Sequence, residues 1–75
     1  MDKNTDIYNK IGQNIKKKRK EKGLKQHELA EKLFMSNSFV SKLESVTHQT
    51  ISIDTLEEFA KALDCKITDF FEDID

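Results

Sequence analysis

The chain has 75 residues, 36% of them charged, with two Gly, no Pro and one Cys; this supports one domain near the lower size limit for a single core and excludes a separate catalytic lobe. Abundant Lys, Glu and Leu with so little turn punctuation favour helices over strands, and the short apolar runs exclude a membrane helix or secretory leader, so a cytoplasmic protein is expected. The net charge of −1 conceals a gradient: nine Lys or Arg against three acids in residues 1–25, two against three in 26–50, and two against eight in 51–75.

Residues 1–5 show no periodicity and are expected to fray. A first helix fits from about Asp6 to Lys22. Ile7, Ile11 and Ile15 recur every four residues, Asn4 or Thr5 can cap the start, and Gly23 can take the left-handed conformation that ends it. Extending the stripe by four residues reaches Arg19, and a guanidinium on the buried side of a helix needs a carboxylate partner. The cationic run from Lys16 to Lys20 is either a solvated face or a phosphate-facing one. Lys17 and Lys20, near Arg19 in the sequence, are its candidate phosphate contacts.

A second helix spans Gln26 to about Leu33, with Leu29, Ala30 and Leu33 on its apolar side. Lys25 stands where Ser or Thr would cap it, which leaves Gln26 and the first N–H groups to grip a phosphate. After the break at Phe34, Met35 and Ser36, the serine caps a third helix running from Asn37 to about Ser45. Val40 and Leu43 turn inward, and Met35 fills the corner between the helices. The outward residues Asn37, Ser38, Phe39, Ser41 and Lys42 include no acid. Such a set suits a polyanionic groove, where Asn pairs with adenine, Lys with guanine, Ser with several base edges and Phe with a thymine methyl. Two short helices about a tight turn form the arrangement that lays the second one in the DNA major groove.

The polar connection VTHQTI offers His48, Gln49 and Thr50 as phosphate contacts. His27, His48 and Cys65 lack the neighbours that metal binding or proton transfer requires, so no metal, cofactor or enzymatic centre is expected. Ser52 caps a fourth helix, Ile53 to Leu63, with Ile53, Leu56, Phe59, Ala60 and Leu63 on its apolar face. Thr68 caps a fifth, from Asp69 to about Asp73. Phe71 is expected to plug the core, which leaves Phe70 with Ile67 and Ile74 as an apolar patch and candidate homodimer contact.

Over about residues 7–71 the runs IGQNIKKKRKEKGLKQHELAEKLFMSNSFVSKLE and SIDTLEEFAKALDCKITDFF resemble the Xre/Cro type of helix-turn-helix regulator. The resemblance implies a compact all-α, five-helix lambda repressor-like domain with its motif at about residues 26–45. It also implies double-stranded DNA as partner and a homodimer on a palindromic operator. By the same resemblance Ala30 sits where the motif helices touch, Arg19 pairs with Glu44, and Gln26 touches the DNA backbone. Base edges are reached by Asn37, Ser38, Ser41 and Lys42, and backbone contacts come from the loop after the third helix; Phe39 joins the candidates for the backbone. Two departures stand out: Phe34 occupies a turn position where glycine is usual, and the loop between Glu44 and Leu56 lacks the family's basic Gly-containing turn. The alternative reading is a protein-interaction module such as an antitoxin, whose acidic, apolar C-terminal part binds a partner protein.

Overall fold

Four α-helices and one short 3-10 helix account for the regular structure in the computed structural model, which describes residues 6–45 and 49–74. They are α1 (Ile7–Glu21), α2 (Gln26–Leu33), α3 (Asn37–Glu44), α4 (Ile53–Ala62) and the 3-10 helix Ile67–Phe71. No strand occurs among the described residues.

The helix starts follow from local chemistry. The Asp6 carboxylate accepts from the Tyr8 N–H at 2.8 Å, so the cap of α1 is Asp6; the expected alternatives, Asn4 and Thr5, lie outside the described residues. Ser36 Oγ accepts from the Phe39 N–H at 3.1 Å and Ser52 Oγ from the Thr55 N–H at 3.1 Å. Lys25 gives α2 no side-chain cap, as its chemistry dictates, but the Glu28 carboxylate reaches back to the Lys25 N–H at 2.7 Å. That is the acidic half of a capping box and restores one lost bond.

Three helix ends use one hydrogen-bond pattern with a left-handed residue at its centre. After α1 the residue is Gly23 (φ 72), after α2 Phe34 (φ 56), and after α4 Asp64 (φ 52). The following N–H reaches back five residues in each case: Leu24 to the Arg19 carbonyl, Met35 to Ala30, and Cys65 to Ala60. Leu24, Met35 and Cys65 then pack against the core. Glycine and aspartate tolerate the left-handed region, whereas phenylalanine does not. Phe34→Gly should therefore stabilise the domain by roughly 0.5 to 1 kcal/mol, the left-handed strain relieved less the added flexibility of glycine in the unfolded chain. Thermal unfolding of the two proteins checks this.

The expected fifth α-helix does not form. Its place is taken by the five-residue 3-10 helix, which ends where Glu72 turns extended (ψ 137) and Asp73 turns left-handed (φ 61). Five residues offer too few bonds to stabilise α-helix, and the acids at the end oppose the negative pole of a helix. Thr68 is not its cap: the element begins one residue earlier, and the Asp69 carboxylate accepts from the Lys66 N–H at 3.1 Å. At this element Phe70, not Phe71, is the core plug, fully buried while Phe71 is half-exposed.

Around Phe70 the core gathers Ile11 and Ile15 of α1, Leu29 and Ala30 of α2, Val40 and Leu43 of α3, and Leu56, Phe59, Ala60 and Leu63 of α4 and its cap. Ile7 and Ile53, expected on apolar faces, are 46% and 64% exposed. Each is the first residue of its helix, and among the described residues neither is covered. α1 is the spine: it packs on α3 on one side and on the 3-10 helix on another. Asn14 Nδ2 holds the latter by donating to the carbonyls of Phe70 (2.8 Å) and Glu72 (2.9 Å).

Candidate nucleic-acid interface

α3 is short, only eight residues, and an isolated helix of that length does not persist in water. Its orientation comes from its attachments. Val40 and Leu43 are wholly buried on the inner side. At its last residue, Glu44 is 3% exposed and receives three hydrogen bonds. Arg19 Nε donates to Glu44 Oε2 at 2.8 Å, Arg19 Nη2 to Oε1 at 3.0 Å, and Gln26 Nε2 to Oε1 at 3.1 Å. Arg19 Nη1 donates to the Leu24 carbonyl at 2.6 Å, so the guanidinium ties α1, the α1–α2 turn and α3 together. Among the described residues no buried side-chain polar atom lacks a partner, which is the condition under which a buried ion pair is tolerated.

The backbone at the end of α3 is clamped from α1 as well. Gln13 Nε2 donates to the Glu44 carbonyl at 2.7 Å and Asn9 Nδ2 to the Ser45 carbonyl at 3.2 Å. Between these two amides in the helical repeat lies Gly12, buried against the Leu43 carbonyl so closely that a Cβ would collide with it. Asn9, Gly12 and Gln13 are positioning residues that the sequence reading missed. One signal was available: a glycine inside a helix costs about 1 kcal/mol relative to alanine, and such a residue usually marks a close approach.

With its inner side and C-terminus held, α3 presents Asn37, Ser38, Ser41 and Lys42 to solvent, all exposed. Phe39 is half-buried and packs on the core, so part of its ring is already covered. Gln26 is half-buried beside the same helix, with one amide proton committed to Glu44. Ala30 and Met35 occupy the junction of α2 and α3, the first buried and the second partly so.

The two α1 lysines part company. Lys20 is exposed and follows Asn9 and Gln13 at helical spacing, on the flank facing the end of α3. Lys17 instead lies 3.9 Å from Glu72, on the flank where Lys10 donates to the Asp73 carbonyl. The structure therefore brings Lys20 to the α3 side and Lys17 to the C-terminal turn. Lys18 is drawn to Glu21 at 3.4 Å, and that bond holds its ammonium above the ordinary lysine value.

Past α3, Thr50 is exposed and Gln49 half-buried, its amide donating to the Thr50 carbonyl at 3.3 Å. His48 lies outside the described residues. Of the apolar patch expected near the C-terminus, Ile67 and Ile74 are half-buried, but Phe70 has no exposed surface and cannot meet a second subunit in this fold. Two adjacent rings in a 3-10 helix point about 120° apart, and the inward direction belongs to Phe70.

Elsewhere the chemistry is structural. Burial, with Asp69 nearby, pushes the Cys65 thiol up from its ordinary value, which disfavours the nucleophilic thiolate. Among the described residues no group of three or more His, Cys, Asp or Glu could hold a metal ion, and no helix is long and apolar enough to cross a membrane.

Known proteins share both sequence and fold. The sequence profile described as helix-turn-helix matches residues 15–70. The HTH-type transcriptional regulator SinR of Bacillus subtilis (strain 168) is 42% identical over 57 residues, covering 76% of this chain and 51% of SinR; SinR of Bacillus licheniformis matches equally. The chain thus spans about half the length of these curated relatives. Among solved structures, the restriction-modification controller protein C.AhdI from Aeromonas hydrophila superposes with a TM-score of 0.78 at 30% identity, over 85% of this chain and 96% of that one. A point mutant of the restriction-modification controller protein C.Esp1396I gives a TM-score of 0.77 at 35% identity, over 88% of this chain and 82% of that one.

Proposed function

The chain belongs to the Xre/Cro family of helix-turn-helix transcriptional regulators, and from that premise we propose that it binds double-stranded DNA sequence-specifically, with α3 in the major groove. The observation that carries this reading is the contrast between the two sides of α3. Its inner side and C-terminus are fixed by the core and the Arg19–Glu44 pair, while Asn37, Ser38, Ser41 and Lys42 are exposed without an acid among them. A rigid helix with donors and acceptors on its free face is what direct readout of base edges needs. Lys20, Gln26, Gln49 and Thr50 are the candidate backbone contacts.

Binding to a palindromic operator as a homodimer follows if two copies present α3 to successive grooves, with half-site centres about 34 to 36 Å apart. Ile67, Phe71 and Ile74, partly buried at the C-terminal turn, are the proposed self-contact, with Phe70 excluded by its burial. Bound over a promoter, such a dimer would regulate by occupancy.

Selection of bound fragments from random duplex DNA, followed by a salt titration, tests the proposal. Enrichment of a palindrome with affinity falling steeply as salt rises supports it; a pool that stays random counts against it. On the selected duplex, Lys42→Ala is expected to weaken binding by about 1 to 3 kcal/mol and relax the preference at one base position. Equal losses on selected and random DNA would make Lys42 a phosphate contact instead.

A further inference from the structure

The ring of Phe34 is 97% exposed on a residue held at φ 56, ψ 40. It is unfavourable on both counts, since the left-handed conformation strains a bulky side chain and exposure forgoes the gain of burying a ring. The turn itself does not require it: the equivalent helix ends use Gly23 and Asp64 with the same hydrogen bonds. Nothing among the described residues accounts for an aromatic residue here.

We propose that Phe34 is a DNA-backbone contact, its ring packing against deoxyribose at the wall of the major groove that receives α3. The inference rests on the reading of α3 as the DNA-binding helix. Asn37 is three positions along the chain from Phe34, a reach of at most about 11 Å, and the major groove is about 12 Å wide. A ring in the turn before the inserted helix therefore falls at the groove wall, where sugars and phosphates alternate, and not on its floor. The surroundings fit that wall. From Lys32 through Leu43 the sequence contains no acid, and Lys32, Ser36, Asn37 and Ser38 are exposed on either side of the ring. The N–H groups of Asn37 and Ser38, at the positive end of α3, have no acceptor within the helix and can meet the phosphates flanking the same sugar. The C–H face of deoxyribose is the apolar surface such a wall offers a ring.

The test measures binding of wild type, Phe34→Asn and Phe34→Tyr to the selected duplex and to a random one, with thermal unfolding of each protein. Asn tolerates the left-handed turn and removes the ring, while Tyr keeps the ring. Phe34→Asn is expected to melt no lower than wild type yet bind both duplexes about tenfold more weakly, the loss of covering roughly half a ring. The salt slope should stay unchanged, because the ring neutralises no phosphate. Phe34→Tyr should bind within about twofold of wild type. Three results overturn the proposal: Phe34→Asn binding both duplexes like wild type, a loss confined to the selected duplex, or a loss that follows a shift of oligomeric state in sedimentation. Wild type that binds neither duplex defeats the DNA reading of α3 and this contact with it, whereas normal binding by Phe34→Asn defeats the contact alone.

Discussion

Glu44→Ala should destabilise the domain by about 3 to 5 kcal/mol, because it leaves the Arg19 guanidinium buried without its carboxylate. Arg19 is only 7% exposed, and three donors from Arg19 and Gln26 converge on the missing group. A chain of 75 residues has a total stability of roughly 4 to 11 kcal/mol, so the variant is expected to be partly unfolded at physiological temperature. Thermal unfolding reads the effect as a fall of roughly 4 to 8 °C in Tm for each kcal/mol. The double variant Arg19→Met, Glu44→Leu separates charge from packing, since replacing a whole buried pair with apolar residues is often neutral. It should recover most of the Tm but still bind DNA more weakly, because Gln26 then loses its Glu44 acceptor and the end of α3 keeps only its backbone bonds from Gln13 and Asn9. A Glu44→Ala protein that melts with wild type would remove the ion pair from the account.

Gly12→Ala comes second in size, and here two effects oppose each other. Alanine in place of glycine inside a helix gains about 1 kcal/mol. Its Cβ, however, would strike the Leu43 carbonyl oxygen, which is backbone and cannot swing aside as a side chain can. The end of α3 must retreat, which strains the overpacked contact by about 1 to 3 kcal/mol and loosens the bonds from Gln13 and Asn9 at about 1 kcal/mol each. The collision wins, with a net destabilisation of roughly 2 to 4 kcal/mol by denaturant unfolding. DNA affinity should fall further than the stability loss alone requires, because the displaced element is the one proposed to read DNA. Unchanged stability would show that α1 and α3 can separate freely.

Much of the motif was legible because its signals are local. Ser36 caps α3 through its own hydroxyl, α2 runs from Gln26 to Leu33 as its apolar spacing predicts, and Arg19 on an apolar stripe demanded an acid before any partner was in view. What stayed hidden depends on neighbours distant in sequence. Phe70 and Phe71 are equally apolar, and only the docking of the 3-10 helix on α1 and α4 selects the first. Ile53 keeps the right spacing yet stays 64% exposed among the described residues. Gln26 reads only as a phosphate contact, and its bond to Glu44 at 3.1 Å depends on a residue far along the chain. Five helices were expected where four and a 3-10 helix stand, because apolar spacing in a five-residue segment cannot tell one helical form from another.

The central claim is that the free face of α3 meets DNA, and amide chemical shifts recorded as labelled protein is titrated with the selected duplex test it most directly. The account predicts the largest changes at residues 34–42 and at the Gln26 side chain, with small ones on the outer face of α4 at Asp54, Glu57, Glu58 and Lys61. Changes concentrated on α4 and the 3-10 helix, with residues 37–42 unmoved, would contradict it.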